Sequence, residues 1–157
     1  MDPRVSELER HYAAVARGRM ADFPLANGAL AVEAVGFRPW EGAWLGALVT
    51  PWALNLVRLP PVPTGGSRSG RKTEYRFPAG AFEFVEAADE GFGAYAMCSL
   101  FSPVLEFADQ QAARTTAEAA VSEVLDADRE APEAGQDAAK RTMSRRGFLR
   151  GGGAGAS

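Results

Sequence analysis

Residues 37–60, FRPWEGAWLGALVTPWALNLVRLP, hold all three tryptophans and the longest nearly uncharged run in the chain. A segment like this must lie at the centre of the fold, because leaving it in water would expose a large apolar area. Its apolar residues do not recur at helical spacing, and Pro39, Gly42, Gly46 and Pro51 would each penalise a helix. Strands are therefore expected. Arg38-Pro39-Trp40-Glu41-Gly42 reads as a turn between a strand ending near Phe37 and one starting near Ala43. Thr50-Pro51 is expected to break or bulge that second strand before residues 52–59 continue it.

The flanking sequence supplies the cover. Asp2 and Pro3 have the chemistry of an N-cap and a first-turn proline, and Val5, Leu8, Tyr12 and Val15 recur at three- and four-residue spacing. This predicts an amphipathic helix ending near Gly18. Pro24 and Asn27-Gly28 mark a loop with a tight turn, and residues 30–37 alternate loosely, placing Ala31, Glu33, Val35 and Phe37 on one side of a strand. Pro60, Pro61 and Pro63 stop pairing, and residues 64–70 form a Gly/Ser loop expected to be mobile. Residues 72–77, 81–86 and 92–100 are three further strand candidates, joined by turns at Pro78-Ala79-Gly80 and Ala88-Asp89-Glu90-Gly91. In this meander Phe82 and Phe84 share an inner face, with Glu83 and Val85 opposite. Ser102-Pro103 is expected to open a long helix, the hydroxyl as cap, with Leu105, Ala108, Ala112, Thr116, Ala120 and Val124 inward and Glu106 and Asp109 in its first turns. Apolar periodicity ends after Asp126. The expectation is an α+β fold: one compact domain over residues 1–126, an antiparallel sheet of about five or six strands packed with an N-terminal and a long C-terminal helix, and a disordered tail over residues 127–157.

Several function classes can be set aside. No apolar run reaches the roughly 18 to 20 residues needed to span a bilayer, and residues 1–19 alternate charged and apolar side chains with no signal-peptide core. A cytoplasmic protein without membrane insertion is expected. The single Cys98 cannot form an internal disulfide, and with the single His11 it cannot build a cysteine/histidine zinc site, so neither metal nor cofactor is expected. A net charge of -3 gives no reason to expect nucleic acid, although basic residues cluster at 68–72 and 140–150. His11 lies off the apolar stripe beside Arg10 and reads as a solvated surface residue. No catalytic triad or motif-spaced carboxylate pair is evident, which favours a non-enzyme. Cys98, mid-strand in AMCSL, reads as a buried inert thiol. The tryptophans suit either the core or a partly exposed binding patch.

Near the C-terminus, Ser144-Arg145-Arg146-Gly147-Phe148-Leu149 matches the twin-arginine export signature, Ser-Arg-Arg-x-Phe-Leu, at every defined position. A working export signal is N-terminal and runs into an apolar segment, whereas residues 151–157 contain nothing strongly apolar. Paired guanidiniums beside Phe148 and Leu149 suit a site offering carboxylates next to an apolar groove.

The segments VEAVGFRPWEGAWLGALVTPWALNLVRLP, FPAGAFEF and CSLFSPVLEFADQQAARTTAEAA, in this order, resemble the HybE/HupJ family of [NiFe]-hydrogenase assembly chaperones over about residues 20–125. The resemblance implies a cytoplasmic accessory protein that binds the hydrogenase small-subunit precursor, through or near its twin-arginine signal peptide, and holds it from export until assembly is complete. The large subunit and other maturation proteins are further implied partners. Client-binding residues are expected in the two blocks that carry the resemblance: Trp40, Glu41, Trp44, Trp52, Phe101, Glu106 and Asp109, with Glu41, Glu106 and Asp109 as receivers for arginines. Ser144, Arg145, Arg146, Phe148 and Leu149 would then form a pseudo-signal competing for the same groove. The competing readings are a non-catalytic scaffold, or a small ligand-binding domain with an aromatic pocket lined by Phe82, Phe84 and Trp44.

Overall fold

The computed structural model describes residues 2–63 and 69–126. Helix α1 (Pro3–Arg17) is followed by strands β1 (Glu33–Trp40), β2 (Ala43–Val49), β3 (Leu54–Leu59), β4 (Lys72–Phe77), β5 (Gly80–Asp89) and β6 (Gly93–Phe101), then helix α2 (Gln110–Leu125). All strand pairs are antiparallel, in the order β1-β2-β3-β6-β5-β4. The expected α+β fold, with its six-stranded sheet and its N- and C-terminal helices, is what forms. The tail and residues 64–68 lie outside the described residues.

The sheet buries both faces because the central strands are apolar on both sides. Leu45, Ala47, Leu54, Leu56, Phe82, Phe84, Cys98 and Leu100 pack with Ala113, Ala117, Ala120, Val121 and Val124 of α2. On the other face Leu48, Val57, Leu59 and Tyr95 pack with Val5, Leu8 and Tyr12 of α1. Small alanines let α2 lie close to the sheet at little entropic cost. Trp40 of β1 and Phe77 of β4, on the two edge strands, bring their ring centroids within 6.1 Å. The sheet therefore coils around α2 and is convex toward α1.

Local sequence explains three departures from expectation. First, β1 runs on to Trp40, and the turn narrows to Glu41-Gly42, at φ 47° and 81°, the two left-handed positions of a tight hairpin. Within β1 the register slips between Val35 and Arg38, where Gly36 takes φ 69°. This bulge turns Phe37 away from Val35 and onto the α1 face, so the two do not share a side as simple alternation predicted. Second, Thr50-Pro51 does not bulge a continuing strand; it reverses the chain. The Thr50 hydroxyl donates to the Ala53 carbonyl at 2.9 Å and accepts the Trp52 and Ala53 amides, which makes residues 50–53 a hairpin turn between antiparallel β2 and β3. Third, Ser102-Pro103 does not open the helix. Val104 and Phe107 are drawn into the core, and Asp109, whose carboxylate accepts the Ala112 amide at 2.9 Å, is the actual N-cap of α2. Leu105 and Ala108 are consequently exposed and Ala112 is only half-buried, while Thr116, Ala120 and Val124 face inward as expected.

Asn27 ties these loops together. Its amide donates to the carbonyls of Val104 and Phe107 at 3.0 and 2.8 Å, and its backbone amide donates to the Pro51 carbonyl. Gln110 exchanges hydrogen bonds with the Ala31 backbone, and Arg114 pairs with Glu33 at 2.9 Å, fastening the start of α2 to the outer edge of β1.

Candidate functional site

The residues singled out in the sequence fall into two groups. Trp40 and Trp44 flank the β1–β2 turn on opposite faces, with exposed Glu41 at its tip. Trp44 joins Asp2, Val5, Ala34, Gly36 and Phe37 around an open cavity of about 200 Å³. Trp52, Phe101, Glu106 and Asp109 lie at the other end of the strands, about 20 Å away along the length of β2. There Trp52 sits 6.5 Å from Tyr12, Phe101 is buried edge-on against Phe107, Glu106 is exposed, and Asp109 is engaged in capping α2. Phe82 and Phe84 are fully enclosed beneath α2 on the face opposite Trp44, so these three rings do not line a common pocket. The twin-arginine motif at 144–149 lies outside the described residues.

A polar chain that the sequence did not reveal crosses from α1 to the β5–β6 hairpin. His11 Nε2 lies 2.7 Å from the Asp89 carboxylate and its ring stacks 4.8 Å from Phe92. The Tyr95 hydroxyl donates to the same carboxylate, and the Tyr12 hydroxyl is 2.7 Å from that of Tyr95. His11 is thus half-buried and engaged, not the solvated residue expected. Its partner is the last residue of β5, 78 residues away, which helix periodicity cannot predict. Burial opposes ionisation of Asp89, but the hydrogen bonds from Tyr95 and His11 outweigh it and hold the carboxyl below its usual range. Burial, reinforced by Tyr12 and Asp89, pushes the Tyr95 hydroxyl far above the usual tyrosine range, and burial raises Tyr12. One carboxylate shared by the Tyr95 hydroxyl and the His11 ring makes a structural latch. Nearby, Arg4 is buried, donates to the Phe92 carbonyl at 2.8 Å and lies 4.0 Å over the Phe92 ring.

The α1 face of the β4–β5 hairpin is laid out differently. Glu74 and Glu83 are directly opposed across the ladder, and both are exposed. Val85, 43% exposed, faces Met97 on β6, while Asn55 on β3 faces Ser99. Continuing the β5–β6 register sets Ser99 beside Glu83, so Asn55, Ser99, Glu83 and Glu74 form one row across four strands. Among the described residues no helix covers this end of the row. None of their side chains gather in threes as a His/Cys/Asp/Glu metal site, and no helix is long and apolar enough to cross a membrane.

The comparisons agree with one another. A family model described as "[NiFe]-hydrogenase assembly, chaperone, HybE" matches residues 3–151, a span that takes in the twin-arginine motif. The hydrogenase expression/formation protein HupJ of Bradyrhizobium diazoefficiens is 45% identical over 145 residues, covering 92% of this chain and 85% of that protein. The protein HoxT of Cupriavidus necator is 43% identical, covering 93% and 87%. The solution structure of HybE from Escherichia coli superposes with a TM-score of 0.62 at 23% identity, over 78% of this chain and 76% of that one, which shows a shared fold. On the strength of the family match and of these relatives, the chain belongs to the HybE family of [NiFe]-hydrogenase assembly chaperones.

Proposed function

We propose that this protein binds the precursor of a [NiFe]-hydrogenase small subunit in the cytoplasm, reads its twin-arginine signal peptide, and holds it from export until the large subunit has docked. The reading rests chiefly on the twin-arginine motif at 144–149. A chain of an assembly-chaperone family carries, within the span its family model matches, a copy of the signal that its client would present. Support also comes from the kind of surface the fold leaves open: the sheet face with exposed Glu74, Glu83 and Val85 sets acidic and apolar side chains together, which suits a peptide better than a small molecule. The protein acts by masking and releasing a segment, without catalysis or a cofactor.

Tryptophan fluorescence of the full-length protein, titrated with a hydrogenase small-subunit signal peptide, tests this. All three tryptophans are half-buried and lie at the ends of the strands, where their emission responds to a bound peptide. Saturable binding that weakens when both peptide arginines are changed to lysine is expected, since lysine cannot offer the bidentate fork of arginine. Equal binding of both peptides, or binding of neither, would leave a scaffold that holds folded subunits as the better account.

A further inference from the structure

We propose that residues 144–149 of this chain are themselves a ligand of the β4–β5 hairpin: Arg145 and Arg146 pair with Glu74 and Glu83, and Phe148 and Leu149 lie over Val85 and Met97. This rests on the reading above, that the domain recognises an arginine pair, and assigns that recognition to a place.

Two carboxylates directly opposed on a sheet repel each other, an arrangement that a fold does not gain stability from. No ion pair offsets it among the described residues. Lys72 and Arg76 lie on the same face of β4, opposite Val85 and Ala81, yet among the described residues neither Glu74 nor Glu83 has an ion pair. Two adjacent guanidiniums would relieve the repulsion with charge-assisted hydrogen bonds. The same row also holds a buried amide. Asn55 is only 7% exposed, and its amide nitrogen reaches toward Met97 at 3.6 Å, into the patch. Its Oδ1 has no donor among the described residues, although a buried acceptor normally finds one. Beside this row Val85 and half-buried Met97, with Trp52 beyond Asn55, supply apolar surface.

The path of the chain identifies the occupant. Helix α2 ends at Leu125, and the Val124 carbonyl accepts the Ala79 amide at 3.2 Å, which places the end of the helix at the β4–β5 turn. From Ala79 to the Glu74–Glu83 rung is about 17 Å along the strand. Residues 127–143 can reach up to about 55 Å, enough to pass around β4. Among the described residues β4 is the last strand of the sheet. Attachment to the same molecule gives the motif a local concentration of order millimolar, so a weak site is filled until a tighter client segment displaces it.

The test uses full-length protein with a nitroxide attached to cysteine at position 151 (Gly151→Cys). The native Cys98 is 1% exposed and stays unlabelled in the folded protein. The amide signals of Glu74, Glu83 and Val85 should lose most of their intensity, and recover it in the Glu74→Gln, Glu83→Gln protein and in the Arg145→Lys, Arg146→Lys protein. Both glutamates are exposed, so the doubly substituted chain keeps its fold, which its amide spectrum verifies directly. Full intensity on the hairpin, or broadening that persists in both variants or falls on the β1–β2 turn instead, would overturn the assignment. No client is in the sample, so that outcome leaves signal-peptide recognition to its own titration. If the assignment holds, the Arg145→Lys, Arg146→Lys chain should bind a client signal peptide about tenfold more tightly than the unaltered chain.

Discussion

Gly46→Ala should destabilise this protein although it adds a single methyl group. A Cβ at Gly46 would stand 2.3 Å from two ring atoms of Phe37 and 2.8 Å from the Phe37 Cα, where carbon atoms at rest sit about 3.5–4.0 Å apart. Turning the Phe37 ring relieves only the first contact. The second requires the strands to part, and they are held on either side: Val35 to Ala47 and Arg38 to Leu45 bracket the bulge, and Gly46 itself pairs with Val57. Overpacking of this kind costs about 1–3 kcal/mol, and a backbone contact belongs near the top of that range. Restricting the unfolded chain returns about 0.4–1 kcal/mol, leaving a net loss of about 2 kcal/mol. Chemical denaturation followed by tryptophan fluorescence should show it, and thermal unfolding should show a fall in melting temperature of about 6–8 °C. In a Phe37→Ala background the same substitution should cost about 1 kcal/mol less, because the ring is gone. A neutral Gly46→Ala would show that the bulge is not what fixes glycine at this position, and an equal cost in both backgrounds would refute the share assigned to the ring.

Asp89→Asn should cost about 1–2 kcal/mol by removing the anion that both Tyr95 and His11 engage. The native carboxyl lies below its unfolded value of about 3.9, so its contribution is fully present above that pH and fades as acid carries it through the lower native value. Acid titration should therefore find the wild type losing stability over this range and the asparagine variant losing less. Asp109→Ala should cost about 1 kcal/mol in urea unfolding, since the Ala112 amide would lose its cap; no change would place the start of α2 elsewhere. Cys98, buried in β6 against the α2 core, should ignore thiol reagents until the protein unfolds, and rapid labelling of the native protein would contradict its packing.

Much of this fold was legible because local chemistry and burial agreed. Asp2-Pro3 at the head of α1 and the alternation around Phe82 and Phe84 each specify one backbone outcome, and each formed, while the turns expected at 78–80 and 88–91 formed at 78–79 and 90–92 because β5 runs over Gly80–Asp89. The misreadings arose where two local signals competed. Ser102-Pro103 and Asp109 are both chemically sound helix starts, and only the burial of Val104 and Phe107 decides for the later one. Thr50-Pro51 fits a bulge or a turn equally well until the hydroxyl is seen bridging to Ala53. The site was less legible. Opposition of Glu74 and Glu83, or of His11 and Asp89, is a product of register and docking between segments distant in sequence, and no spacing rule encodes it.

The way the sheet closes accounts for what it leaves open. A helix is about 10 Å across and strands lie about 4.8 Å apart, so one helix shields little more than two strands of a flat sheet. On the α2 side, coiling brings the edge strands together and one helix suffices. The same curvature makes the α1 face convex, and α1, fastened at Ala34 by Glu9 and at Asp89 by His11, cannot also reach β4. A bare strand end needs charge for solubility, but alternating charges would serve that better than two glutamates in register. Glu83→Lys should accordingly stabilise the chain by about 0.2–1 kcal/mol, by turning a repulsive rung into an attractive one. If the rung exists to receive arginines, the same substitution should release the tail from the hairpin and weaken capture of a client signal peptide. A lysine variant that gains stability and still holds both peptides would show the glutamate pair to be incidental, and the receiving carboxylates would then have to be sought at Glu41 and Glu106.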